Sequence, residues 1–211
     1  MATLTPTECD KYFYDEKAAE RPINFIERFC RHYEGKQWAG ELITLLDWQK
    51  AMIRTLYGWK HKATGLRRFR ELYLLTAKCS GKTPLLSSIG MYHLFAEGEP
   101  ACHVVSMATD YKQAMLTQEW AKKSIEQDAK LSRMSDTTMY EIRGPRNGKW
   151  NVLSGTFQGR AGFRPSLILA DEAHEWPSGK LYSNITANMA KRREPLLLIA
   201  TNAGPNRSCY C

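Results

Sequence analysis

No stretch of the chain approaches the roughly 20 consecutive apolar residues that a membrane-spanning helix needs. The N-terminus, Met1 to Glu20, has neither the basic start nor the apolar middle of a secretory signal. These absences lead us to expect a soluble, intracellular protein with no membrane partner. Metal and disulfide signals are equally thin. Cys9, Cys30, Cys79 and Cys102 are scattered, no Cys-x-x-Cys pair occurs, and the five histidines are dispersed, which argues against a zinc site. Free thiols in a reducing compartment are the expected state; the closing Cys209-Tyr210-Cys211 has no explanation. Repeats, coiled-coil heptads and low-complexity linkers are missing too, and no sequence-specific DNA-reading motif is present.

What is there fits one globular unit. A length of 211 residues suffices for one hydrophobic core, with or without a small appendage. Lys and Arg outnumber Asp and Glu by 30 to 22, a net charge of +8 that is compatible with a polyanionic partner without naming one. The excess is concentrated in Lys60, Lys62, Arg67, Arg68 and Arg70, and again in Lys191, Arg192 and Arg193. Each cluster reads either as a set of phosphate contacts or as a solvated face.

Periodicity supplies the architecture. Ile23, Ile26, Phe29 and Cys30 recur at helical spacing within Ile23 to Tyr33, and a second helix is expected from about Asp47 to Tyr57, with Asp47 as its cap and Gly58 as its stop. The period then changes. Leu72 to Leu75, Cys102 to Met107, Leu167 to Ala170 and Leu196 to Ala200 are short apolar runs, typical of strands buried on both faces. A helix is expected from Lys82 to about Phe95, and another after Thr109 or Asp110. Two short strands should flank Arg143 to Lys149, where Asn147-Gly148 signals a hairpin turn, since both residues tolerate positive φ. The fold class that follows is α/β: a mostly parallel sheet with helices on both faces and a helical N-terminal appendage. We place the appendage at residues 1–60 and the sheet domain at 61–211, with a bare sheet edge that suggests a fragment of a longer protein.

Two motifs carry the chemistry. Thr76-Ala77-Lys78-Cys79-Ser80-Gly81-Lys82-Thr83 lies between a strand and a helix and keeps the Gly-Lys-Thr end of the phosphate-binding loop, with Thr76 where its first glycine belongs. Successive amides and the helix N-terminus can surround phosphate oxygens there. Lys82 can reach the β and γ phosphates, and the Thr83 hydroxyl can complete a magnesium shell. Lys78 adds a second cation, which either stabilises charge on the transferring phosphoryl group or faces solvent. Downstream, a buried strand ends in Asp171-Glu172, delivering two carboxylates to the edge where open sheets bind ligands. Asp171 would hold magnesium, and Glu172 would act as the general base on the attacking water. His174 extends the run to Asp-Glu-Ala-His and reads either as a phosphate sensor or as a surface residue. Thr201-Asn202-Ala203-Gly204 ends the last strand with groups able to contact the γ phosphate.

This combination resembles the ATPase domain of viral large terminase subunits, the motors that package double-stranded DNA into tailed-phage capsids. Leu46-Asp47-Trp48-Gln49 resembles the family's adenine-recognition element, which implies that Gln49 reads the base. Lys78 falls at the basic position of the deviant phosphate loop, and Thr201 to Gly204 resembles the coupling motif that links hydrolysis to DNA movement. Cys79, Ser80 and Asn202 depart from the family pattern. The resemblance implies a phosphate-loop NTPase of the additional-strand, catalytic-glutamate type, with ATP and Mg2+ as cofactors. It further implies double-stranded DNA, a portal protein and a small terminase subunit as partners. The expected assembly is a homo-oligomeric ring on the procapsid in the host cytoplasm, leaving the isolated domain free to be a monomer. Arg160 and Arg164 are candidates for nucleotide or subunit contacts, and the family's nuclease domain would lie downstream of this chain. Two rivals stay open at this point: a helicase-like, nucleic-acid-dependent ATPase, and a non-hydrolysing DNA- or capsid-binding module of the same fold.

Overall fold

The computed structural model describes residues 10–154, 163–176 and 180–202. A short strand β1 (Tyr12–Tyr14) leads into helix α1 (Glu16–Phe29) and, after an irregular stretch, helix α2 (Asp47–Gly58) and strand β2 (Trp59–His61). The Asp15 carboxylate caps α1 by accepting the Ala18 N–H at 3.0 Å. Ala19, Ile23, Ile26 and Cys30 bury one stripe at three- and four-residue spacing. The cap of α2 is Leu46 rather than the expected Asp47, because the Gln49 side chain turns back to accept the Leu46 N–H at 2.9 Å.

The remainder alternates between sheet and helix. Strand β3 (Glu71–Leu75) is followed by α3 (Lys82–Tyr92), β4 (His103–Ala108), α4 (Tyr111–Glu126) and α5 (Ala129–Arg133). Then come β5 (Asp136–Thr137), β6 (Glu141–Arg143), β7 (Lys149–Ser154), β8 (Leu167–Asp171), α6 (Lys180–Met189) and β9 (Leu196–Thr201). Seven strands form one sheet in the order β3-β9-β8-β4-β7-β6-β5. The first five run parallel, and β6 and β5 are antiparallel additions at one edge.

Every residue of β4, β8 and β9 is buried, because helices cover both faces. Val104, Leu167, Leu169, Leu196 and Leu198 face a core shared with α1 to α4, while Val105, Met107, Ile168, Ala170, Leu197 and Ile199 face Trp176, Ile185 and Met189. The N-terminal helices contribute Ile23, Ile26, Ile53 and Leu56 to the same core as the sheet. Strand β3 departs from expectation. Its apolar run reads as doubly buried, yet exposure alternates along it, reaching 45% at Tyr73 and 58% at Leu75. It forms the outer strand of the described sheet, with Leu72 and Leu74 packed against the core and Tyr73 and Leu75 on the opposite face.

The loops before the parallel strands are tied by an ion-pair network. Arg67 is 3% exposed; its guanidinium contacts the Glu97 carboxylate, donates to the Glu194 carbonyl at 2.6 Å and lies 5.4 Å over the Tyr57 ring. Tyr57 Oη and His93 Nε2 are 2.8 Å apart, and His93 Nδ1 pairs with Glu97. Burial alone would raise the Glu97 acid, but His93 and Arg67 outweigh it and hold it at about 2. A π-helical turn, His93–Glu97, replaces the last turn of the helix expected to reach Phe95 and brings His93 and Glu97 into this network. Arg192 binds Glu99 at 3.1 Å and the carbonyls of Ala101 and Arg164. Neither basic cluster is therefore a uniform solvated face.

Candidate nucleotide site

Between β3 and α3 the chain turns through Cys79, at φ 59°, and Gly81, at φ 76° and ψ 24°. No atom crowds a Cβ built on Gly81, so its requirement is the left-handed backbone rather than space. Thr76 stands where the loop pattern has a glycine, and its hydroxyl lies 2.7 Å from that of Ser80, so two side chains close the loop at its base. Lys82 is buried and folds back to donate from Nζ to the Ala77 carbonyl at 3.1 Å. Lys78 and Cys79 are exposed.

Strand β8 carries the acidic pair to the same edge. Asp171 is buried, and its Oδ1 accepts the Glu172 N–H at 2.9 Å. Burial, and then the Glu172 carboxylate, push the Asp171 acid up to about 6 against the pull of the Glu172 amide, Lys82 and His174. Glu172 itself adopts φ 51° and ψ 47°, a left-handed conformation that disfavours any residue with a Cβ. Glu172 and residues Lys78 to Pro84 line one cavity of about 650 Å³, whose remaining wall is Tyr33, Glu34, Leu116 and Trp120. The two motifs therefore converge on one space.

Strand β9 makes that convergence possible by pairing with β3 on one side and β8 on the other. Its last residue, Thr201, is fully buried; the Thr201 carbonyl accepts the Thr76 N–H at 3.0 Å. The Thr201 hydroxyl donates to the Asn202 carbonyl at 3.2 Å, accepts the His174 N–H at 3.1 Å, and lies 3.0 Å from His174 Nδ1. Asn202 is 4% exposed, and neither side-chain amide atom has a hydrogen-bond partner among the described residues.

Other expected residues fall elsewhere. Gln49 is buried and does not line the cavity; its Oε1 is committed to the α2 cap. Arg164 precedes β8 and lies at the sheet edge opposite Asp171, so it does not reach the nucleotide site of its own chain. Arg160, Ala203 and Gly204 lie outside the described residues. The aromatic and acidic wall was not anticipated. Leu116 and Trp120 share one face of α4 at four-residue spacing, which is a legible signal of pairing, but nothing local ties Tyr33 and Glu34 to them.

A profile of the family described as "Terminase large subunit, ATPase domain" matches residues 47–211. The chain belongs to that family. The terminase large subunit of Enterobacteria phage HK97 is 29% identical over 193 residues, which cover 89% of this chain and 37% of that protein. The crystal structure of the HK97 bacteriophage large terminase superposes with a TM-score of 0.73 at 27% identity, over 87% of this chain and 37% of that one. The ATPase domain of the Thermus phage P74-26 large terminase shares the fold at a TM-score of 0.52 and 19% identity, over 74% and 70% of the two chains. The chain thus spans 37% of the length of its HK97 relative, and the ATPase-domain family covers most of the chain.

Proposed function

We propose that this terminase domain hydrolyses ATP with Mg2+ and that the hydrolysis drives double-stranded viral DNA into a procapsid. The observation that carries the reading is the single cavity bounded by Lys78, Lys82, Thr83 and Glu172, with Asp171 beside it. The residues fit both groups. Two adjacent carboxylates, one pushed up to about 6 by burial and the other, call for a divalent cation, and Lys82 occupies itself with a loop carbonyl that a phosphate oxygen can replace. Asp171 and Thr83 would hold Mg2+, which when bound offsets charge on the phosphates.

The chain's own residues then have distinct tasks. Loop amides from Ala77 to Lys82 and the N-terminus of α3 orient the phosphates. Lys82 neutralises the β and γ oxygens, and Lys78, exposed at the cavity rim, stabilises charge that develops on the γ group. Glu172 orients the attacking water and accepts its proton. Gln49 keeps its Nε2, which has no partner among the described residues, for the adenine edge. Membership in the terminase family favours packaging over strand separation. The partners we propose are duplex DNA, a portal protein, a small terminase subunit and further copies in a ring on the procapsid, within the host cytoplasm. DNA contact falls to the exposed Lys62, Arg70, Lys191 and Arg193, because Arg67 and Arg192 are engaged in ion pairs.

The reading is tested by two substitutions. Glu172→Gln keeps the shape but removes the base, so ATP affinity should persist while turnover drops by about two orders of magnitude or more. Lys82→Ala should instead weaken binding of a fluorescent ATP analogue. Unchanged affinity in Lys82→Ala, or unchanged turnover in Glu172→Gln, would end the assignment.

A further inference from the structure

His174 occupies a position that none of the tasks above explains. Its Nδ1 lies 3.0 Å from the Thr201 hydroxyl and 3.2 Å from Glu172 Oε2, an oxygen that is buried and makes no hydrogen bond of its own among the described residues. The Thr201 hydroxyl spends its proton on the Asn202 carbonyl, which leaves oxygen lone pairs facing the imidazole and the His174 amide. A proton on Nδ1 satisfies this arrangement, shared between hydroxyl and carboxylate. The same Thr201 accepts the amide of Thr76, the first residue of the phosphate loop. A continuous chain of contacts therefore runs Glu172, His174, Thr201, Thr76, from the acidic residue that lines the cavity to the first residue of the phosphate loop. It begins at a residue whose left-handed backbone needs support from its surroundings.

We propose that His174 is a positioning residue: through Nδ1 it fixes the Glu172 carboxylate against the end of β9, and so sets the distance between the base and the phosphate loop. This rests on the ATPase reading above and assigns a role to a residue that touches neither phosphate nor metal in it. A carboxylate freed from the imidazole keeps its charge but loses its aim, and misplacement of a reacting group by about an ångström costs on the order of a hundredfold in rate. Substrate affinity, which is supplied by the loop, should be spared.

The test measures steady-state ATP hydrolysis, affinity for a fluorescent ATP analogue and the melting temperature of the full chain. His174→Ala should lower kcat roughly 10- to 100-fold with KM, affinity and melting temperature nearly unchanged. His174→Asn, whose amide can donate from near the Nδ1 position, should recover most of the loss. Thr201→Val should reproduce the defect and Thr201→Ser should not, and the double variant His174→Ala/Thr201→Val should be no slower than the worse single one. Wild-type kcat in His174→Ala, an Asn variant as impaired as the Ala variant, or a kcat loss that appears only together with lost affinity and stability would each overturn the proposal. Wild type no faster than Glu172→Gln would overturn the ATPase reading itself. Wild type active, with His174→Ala equally active, would remove the positioning role alone.

Discussion

Asp171 shows how a proposed metal ligand works against the fold that holds it. The native state raises its acid from 3.8 to about 6, so between these values the folded protein binds the proton more tightly than the unfolded chain does. Stability therefore falls as pH climbs from about 4 through 6, and above that range the full penalty, on the order of 3 kcal/mol, is present. Asp171→Asn removes the charge and keeps the shape. It should raise the melting temperature of the ligand-free protein by several degrees at pH 7.5 and leave it little changed at pH 4, while abolishing the magnesium stimulation of nucleotide binding. Calorimetry at the two pH values checks this; a variant less stable than wild type at pH 7.5 would refute it. At this scale the site was largely legible. Gly81 and the Asp171-Glu172 pair are recognisable because their constraints are local, a left-handed turn in one case and the end of a buried strand in the other. The hydrogen bond that Gln49 makes and the engagement of Arg67 were not. Both side chains are claimed by partners, the α2 cap and Glu97 with Glu194, that no local pattern announces.

At the scale of elements, the two ends of the parallel strands do different work. The carboxyl ends of β3, β8 and β9 meet at the cavity, while the loops before them are tied through Arg67. Removing one partner of a buried ion pair strands the other, so Arg67→Ala should destabilise the protein by about 3–5 kcal/mol. Arg70→Ala, three residues away and exposed, should stay within roughly 0.5 kcal/mol. Urea denaturation followed by circular dichroism distinguishes them; equal midpoints would mean that the network does not hold these loops. The long apolar strands and the helices between them follow from periodicity, but smaller elements do not. Strands β1 and β2 pair across α1 and α2, so their partners are distant in sequence. The Asn147-Gly148 pair signals the hairpin because both residues tolerate positive φ. Positive φ falls instead on Arg146 and Asn147, and Gly148 is needed because a Cβ there would sit 3.0 Å from Leu94. The approach of Leu94, from the π-helical turn after α3, is invisible in the dipeptide.

The molecule as a whole joins a rigid base to a reactive rim. Its core runs without interruption from the N-terminal helices into the sheet, so the cavity wall supplied by Tyr33 and Glu34 is part of the same packed body as the phosphate loop opposite. Tyr73 and Leu75 are partly exposed along one flank of that body. Cysteine chemistry reads out the contrast between base and rim. Burial pushes the thiols of Cys30 and Cys102 up to about 12, which leaves almost no thiolate at neutral pH, whereas Cys79 stands exposed between the two lysines of the loop. Brief treatment with iodoacetamide, followed by mass spectrometry of the resulting peptides, should mark Cys79 well ahead of the other two. A saturating triphosphate should shield it, and equal marking with and without nucleotide would speak against occupancy of the loop. By placing a sulfur in the proposed phosphate loop, this protein carries a natural footprinting label for nucleotide at that loop.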